Sequence, residues 1–342
     1  MGAGIAGCLL AWRLQAAGQR VVVIGDSHAP SASAVAAGVI NPVTGRWAVK
    51  SWRIDDLLPE AEGLYRQLEA ELNLRVYHTM PLRRFCQNEA DLKRIGRRLR
   101  NPRYANVLGA LHPQGDSPSA IQDPHGSFDI LGAAYVDLPE LLTALRCRLP
   151  FIDARFHHAA LQRRGTLWHY EGFTAPRVIF CEGAAVVDNP WFDSHALAPV
   201  KGETLLLEYP GLELPHSIYH HRKWLLPYGA HRYRIGATYS EQFKSAAPTA
   251  SAAKELLEGA HAFLGRHREL HIITQLAGIR PSTRDARPLI GRHPSEPGLY
   301  LFNGLGSKGA SVAPLMSRHF TEHLLHGTPL EAEVDLRRFA EA

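Results

Sequence analysis

Long hydrophobic runs are missing from this chain of 342 residues. No stretch of about eighteen apolar residues occurs, which leaves no transmembrane-helix candidate. The first residues also lack a charged leader followed by an apolar block and a small-residue cleavage site, so a cytoplasmic protein is expected. Cysteine is scarce. Cys8, Cys86, Cys147 and Cys181 are scattered, without a C-x-x-C pair or a His-Cys cluster at zinc spacing, which supports neither a disulfide framework nor a structural metal. Reduced, mostly buried thiols are expected. The 19 histidines include the pairs His157-His158 and His220-His221, but neither has a carboxylate at ligand spacing, so surface histidines are expected rather than metal ligands. No internal repeat and no linker is visible.

What is present is ordinary globular composition, 45% hydrophobic and 21% charged, long enough for two closely joined domains. Lys and Arg number 38 against 33 Asp and Glu, a net charge of +5 that suits an anionic ligand. One dense basic stretch runs through Lys93, Arg94, Arg97, Arg98, Arg100 and Arg103. A solvated helix face is the plain reading, and nucleic-acid binding the sharper one. Only Tyr104 adjoins it to stack a base, which favours the solvated face.

Ile5 to Ala17 is apolar and small, Gly18 ends it, and Val21 to Ile24 reads as a fully buried parallel strand. Asp55 to Leu72 is an amphipathic helix, followed by a strand within Arg75 to Phe85. Asn101 to Gly132, rich in Pro, Gly, His and Asp, reads as surface loops and short strands and as a poor core candidate. Asp137 is the plausible N-cap of a helix to Leu149, with Leu138, Leu141, Leu142 and Leu145 on one side. Arg177 to Cys181 is a short apolar strand. Gly202 to Ser240 alternates repeatedly, as an antiparallel sheet would. Helices are expected over Ala252 to Leu264 and from about Ala310 to Leu325, with a strand at Leu299 to Phe302. Parallel units interrupted by antiparallel segments imply two domains interleaved in sequence.

Gly2, Gly4 and Gly7 form the G-x-G-x-x-G pattern, in which glycines let the backbone approach a pyrophosphate while the amides around Ile5 and Ala6 and the positive helix end attract it. Ala11, Leu14, Gly18, Val21 and Val23 continue the expected helix and strand. Two departures stand out. The acidic residue expected at the end of the second strand to hold ribose hydroxyls is replaced by Gly25, with Asp26 one residue later as the substitute. Only Met1 precedes Gly2, so the strand that enters such a turn is absent from this sequence, and a few more apolar residues are expected ahead of it in the natural protein.

Three further segments resemble the D-amino-acid oxidase and glycine oxidase superfamily of flavoproteins: SASAVAAGVINPVTGR (residues 31–46), Val178 to Ala184, and AGIRPSTRDARPLIG (residues 277–291) followed by NGLGSKGASVAP. The resemblance implies an α/β fold, with a Rossmann-like FAD-binding domain interleaved with an antiparallel-sheet substrate domain, the glutathione-reductase-type FAD fold. Residues 1–75, 132–200 and 272–342 then form the FAD-binding domain, and residues 76–131 and 201–271 the substrate domain. Ser33, Ala37 and Gly38 are implied neighbours of the pyrophosphate and flavin, although an ordinary small-residue turn is the alternative. Gly183 belongs to the same cofactor set. Gly304, Gly306, Ser307, Lys308 and Gly309 precede a helix whose N-terminus would face the flavin pyrimidine, which becomes anionic on reduction. Lys308 could equally be a plain surface lysine.

Arg280 resembles the arginine that pairs with the substrate carboxylate, the alternative being a structural pair with Asp285. Tyr228 is implied in the active-site group, where many relatives carry Arg after the Pro. No cysteine follows Cys181, so a thioether from the C-terminal region, as in sarcosine oxidases, is impossible and FAD is expected to be non-covalent. The implied reaction is oxidation of an amino acid or secondary amine, with hydride passing to the flavin, hydrolysis of the imine, and reoxidation by oxygen or another acceptor. Other readings are an oxidase acting on a carboxymethylaminomethyl group of tRNA, which the basic stretch alone supports, and a non-catalytic flavin-binding homologue.

Overall fold

The computed structural model describes residues 1–192, 196–265 and 269–339. Among the described residues there are seven α-helices: α1 (Ile5–Ala16), α2 (Ala32–Val35), α3 (Ile54–Leu72), α4 (Glu89–Leu99), α5 (Leu138–Arg148), α6 (Ala250–Leu264) and α7 (Gly309–His326). Helix α1 is apolar around its whole circumference, and Ile5 to Trp12 are all buried, because α5 and α7 pack against it. Helix α3 buries Ile54 and the stripe Leu57, Ala61, Leu64, Tyr65 and Leu68, and the Tyr65 hydroxyl donates to the carbonyl of Ala310 in α7 at 2.6 Å. Asp137 caps α5 by accepting from the Glu140 amide at 3.2 Å, and Leu138, Leu141, Leu142 and Leu145 are its buried side.

On this helical layer lie parallel strands. Val23–Gly25 pairs with Phe151–Asp153, and Val178–Phe180 with Leu299–Asn303, which Leu289–Arg292 flanks antiparallel. Residues 1–3 run between the two groups. The Gly2 amide donates to the Ile24 carbonyl at 2.8 Å and the Cys181 amide to the Met1 carbonyl at 2.7 Å, so the turn at Gly2 is held from both sides.

The second unit is an eight-stranded sheet in the order His271–Arg280, Val200–Glu208, Arg232–Gly236, Lys223–Pro227, Ile218–His221, Leu82–Phe85, Ser127–Ile130, Leu108–His112. It is antiparallel except where Ile218–His221 meets Leu82–Phe85. Alternation splits its residues between two faces. Leu205, Leu207, Tyr219, Leu225, Tyr233 and Ile235 face Leu256, Ala260 and Leu264 of α6. Leu82, Phe128, Ile130, Ile218 and Leu226 face the opposite way, toward Ala37, Val43, Ala48 and Ile54.

Two expectations are corrected. Residues 101–132 do contribute core: Val107, Leu108, Ile121, Phe128 and Ile130 are buried, because this segment supplies the two outermost strands of the large sheet. The single strand expected within Arg75 to Phe85 is two, Tyr77–Thr79 and Leu82–Phe85, in different sheets. Pro81 stands between them and has no amide to continue a ladder.

Helix α7 is anchored by Phe320, fully buried and edge-on to Phe302 at 5.8 Å. Phe320→Ala is expected to cost about 3–5 kcal/mol, seen as a clear drop in the urea midpoint. A midpoint equal to the wild type contradicts this packing account.

Candidate cofactor and active site

The first turn of α1 sits in a cradle that only glycines permit. A Cβ on Gly2, whose φ is +103°, would lie 2.3 Å from the Cys181 carbonyl oxygen, and one on Gly7 would lie 2.0 Å from the Gly2 oxygen. Gly4 is the N-cap and has no side chain to occupy the space before the helix. The first amides of a helix have no partner within it. Here the Ile5 amide donates to the Ser33 hydroxyl at 3.2 Å, and the amides of Ala6 and Gly7 follow it in the same first turn.

Ser33 lies in α2, a single turn capped by the Ser31 hydroxyl, which accepts from the Ala34 amide at 3.1 Å. Ala37 is buried behind it, and Gly38, at φ +63°, approaches Val136 so closely that a Cβ would fall 1.9 Å from its carbonyl oxygen. The large sheet grips this segment through Arg234, which is buried and donates to the carbonyls of Val35 and, at 3.2 Å, Ala36. Burial pulls its guanidinium below the usual range.

At the end of the strand Val23–Gly25, Asp26 is exposed, and its Oδ1 accepts from the amides of His28 and Ala29 at 2.9 and 3.0 Å. Gly183 follows Glu182, and its carbonyl accepts from Asn303 at 2.9 Å, while the other end of the Asn303 amide accepts from Gly304 N at 2.9 Å. Gly304 and Gly306 take positive φ, and the turn delivers Lys308 as N-cap of α7, with Gly309 its first residue. Ser307 is exposed. The Lys308 ammonium turns inward, 3.4 Å from the Thr44 hydroxyl and 3.3 Å from that of Ser51. Burial, with Arg287 adding to it, lowers its pKa. A plain surface lysine is therefore excluded.

Arg280 closes the strand His271–Arg280 and folds back over Gly202, where any Cβ would come within 2.0 Å of its Nη2. Nη1 donates to the Lys201 carbonyl at 3.4 Å and Nη2 to that of Thr238 at 3.2 Å, and the exposed Tyr239 ring lies 5.7 Å from its Cζ. Among the described residues no carboxylate pairs with it. Asp285, the alternative partner, is bonded instead to Arg338 at 2.8 and 3.2 Å. Burial lowers the Arg280 pKa, yet a guanidinium remains charged.

Cross-strand pairing aligns Thr204, Gly236, Trp224, His220 and Arg84 in one row on this face. Arg280 lies toward one end of the strands from that row and Tyr228 toward the other, about eight residues or roughly 25 Å apart. Tyr228 does not join Arg280. It neighbours Asp137 and Arg234, and burial followed by Asp137 raises its phenol pKa. The histidine expectation also changes, since His158 bonds to Glu182 at 2.7 Å and the Nδ1 of His220 is buried. Among the described residues no three His, Cys, Asp or Glu side chains converge as a metal site, and no helix is long and apolar enough to cross a membrane.

Sequence reasoning missed Arg234, Gly202, Trp224, Tyr239, Thr44 and Ser51. Alternation could have found Arg234, because Tyr233 and Ile235 face α6 and the residue between them must face the other way.

A glycine-lined helix N-terminus set against an antiparallel sheet bearing a carboxylate-free arginine defines a dinucleotide-dependent oxidoreductase. The family model described as FAD dependent oxidoreductase, DAO, matches residues 1–323, and the chain belongs to this FAD-binding family. It is 29% identical over 209 residues to the glycine oxidase of Bacillus subtilis, spanning 56% of this chain and 57% of the relative. It is 30% identical over 135 residues to that of Bacillus licheniformis, spanning 40% of this chain and 36% of the relative. A putative thiamine biosynthesis oxidoreductase ThiO of Rhizobium etli is 27% identical over 95% of both chains. The crystal structure of glycine oxidase from Geobacillus kaustophilus superposes with a TM-score of 0.81 at 21% identity, covering 99% of this chain and 96% of that one, and shares its fold.

A Cβ at Gly4 would meet only the Ser33 side chain, 3.1 Å from its hydroxyl. Gly4→Val is thus expected to fold with nearly unchanged thermal stability and to lose FAD affinity at least about tenfold. Undiminished FAD content in the purified variant would contradict the cradle.

Proposed function

We propose that this chain oxidises the C–N bond of an amino acid or carboxylate-bearing secondary amine. The observation that carries the proposal is Arg280: a half-buried guanidinium, held by two backbone carbonyls and lacking a carboxylate partner among the described residues. A substrate carboxylate supplies the missing counter-charge through paired hydrogen bonds and is fixed in one orientation.

The residues suited to holding FAD are Gly2, Gly4, Ile5, Ala6 and Gly7 along the diphosphate, and Asp26 at the ribose. Ser33, Ala37, Gly38 and Gly183 would line its length, and Gly304, Gly306, Ser307, Lys308 and Gly309 would flank the pyrimidine end. When bound, FAD supplies a two-electron acceptor for the substrate's α-hydrogen. The Lys308 ammonium and the N-terminus of α7 stabilise negative charge at that end. Arg280 aims the α-carbon, while Trp224 and Tyr239 limit water around it. The substrate nitrogen enters uncharged, and the product leaves as an imine that water hydrolyses. Among the described residues no cysteine forms a disulfide. Two interleaved domains remain the proposed division, with residues 272–280 on the substrate side because they form an edge strand of the large sheet, and residues 77–79 on the cofactor side because they pair with Ala134–Val136. The tRNA reading is the weaker one, since within the basic stretch Arg94 is paired with Asp91 at 2.7 Å and Arg98 is bonded to Tyr104.

Arg280→Met is expected to keep FAD and raise KM for amino acids by roughly 30- to 1000-fold, or about 2–4 kcal/mol. Oxidation of an amine without a carboxylate should change little. Equal kinetics for wild type and Arg280→Met with glycine or sarcosine would remove Arg280 from substrate binding.

A further inference from the structure

Beyond Arg280, the same sheet face carries a second concentration of positive charge. A cleft of about 580 Å³ opens at the turn joining Val43–Thr44 to Val49–Lys50 and at the start of α4. Arg46, Arg84, Arg94, Arg222, His220 and Trp47 line it. Arg84 donates through Nη2 to the Gly45 carbonyl at 2.7 Å, but its Nη1 is buried with no hydrogen-bond partner. The Nδ1 of His220 is likewise buried and unpaired. The Nε of Arg222 is held by Gln87 at 2.7 Å. Among the described residues no carboxylate forms a salt bridge with Arg46, Arg84 or Arg222. The one acid lining the cleft, Asp91, is already engaged by Arg94 at 2.7 Å and by the Gln87 amide at 3.1 Å.

An unpaired buried guanidinium arm is costly, and two residues with orphaned polar atoms lining one cleft call for an occupant. Burial, then Arg84 and His221, push the His220 imidazole down to about 3, so it adds polarity rather than a fifth cation. The mouth is preorganised. Trp47 is 51% exposed, with the Arg46 and Arg94 guanidinium carbons 4.3 and 4.6 Å from its ring, a cation–π arrangement that aligns both planar forks. Four arginines against one engaged carboxylate select an oxyanion that accepts several hydrogen bonds.

We propose that this cleft is a phosphate-binding site. His220 stands opposite Trp224, Trp224 opposite Gly236, and Arg84 opposite His220, so Arg84 is three strands, roughly 14 Å, from Gly236. The phosphate is either a free ion or the far end of a substrate whose amine lies by Arg280.

Calorimetric titration of the FAD-loaded protein with inorganic phosphate, against chloride at equal ionic strength, tests the site without turnover and so stands apart from the Arg280 assignment. One equivalent is expected to bind, and Arg84→Gln and Arg222→Gln are each expected to weaken it by about tenfold or more with the flavin spectrum intact. No binding beyond that of chloride, or equal affinity in wild type and both variants, overturns the proposal. Kinetics with added phosphate identify the source. A KM that rises for phosphate-bearing amines but not for glycine marks the distal end of a substrate, whereas KM values constant for both mark a free ion.

Discussion

The contact on which the rest depends is the approach of α1 to the backbone of Gly2 and Cys181. With a Cβ at residue 7 falling 2.0 Å from the Gly2 oxygen, any side chain there would force the helix away from the turn. Its first amides would then no longer converge on the space beside Gly4 and Ser33. The helix axis is in turn held by an apolar circumference that leaves it no preferred outward face, so its position is set by α5 and α7 rather than by solvent. A helix dipole is useful to a diphosphate only when its end is fixed.

The second constraint is the period of two along the large sheet. One face is spent on α6, and every residue that can meet a ligand belongs to the other. Arg234 shows how the two units are joined through that face: a buried cation reaches the carbonyls of Val35 and Ala36, which close α2. Its charge does structural work while that of Arg280, held in a similar carbonyl setting beside Gly202, is left without an acid. The difference lies in what each guanidinium faces, the end of α2 needing donors in one case and the exposed Tyr239 ring in the other.

Local signals carried much of this. The glycine pattern, the caps and stripes of α3 and α5, and the alternation after Gly202 were legible because each depends on neighbours within a few residues. What escaped depends on register between distant segments. Residues 101–132 read as loops from their Pro and Gly content, yet Phe128 and Ile130 are buried because Leu82–Phe85 pairs beside them. Tyr228 follows Pro227 in sequence much as a site residue would, but the hairpin carries it to the end of the sheet away from Arg280. Trp224 lies over Gly236 and Arg280 over Gly202, and in both places only the missing Cβ leaves room for the side chain.

Register also accounts for the departure at Gly25. A side chain there would meet the Ala3 amide at 2.8 Å, so the strand that flanks the glycine turn cannot carry its acid at that position. One residue later the backbone has left the sheet, and Asp26 is free to turn. Its Oδ1 is tied to two loop amides, which orients the carboxylate while leaving Oδ2 outward. The close approach that shapes the glycine turn therefore also keeps a side chain out of position 25, and the nearest acidic residue, Asp26, stands one position later.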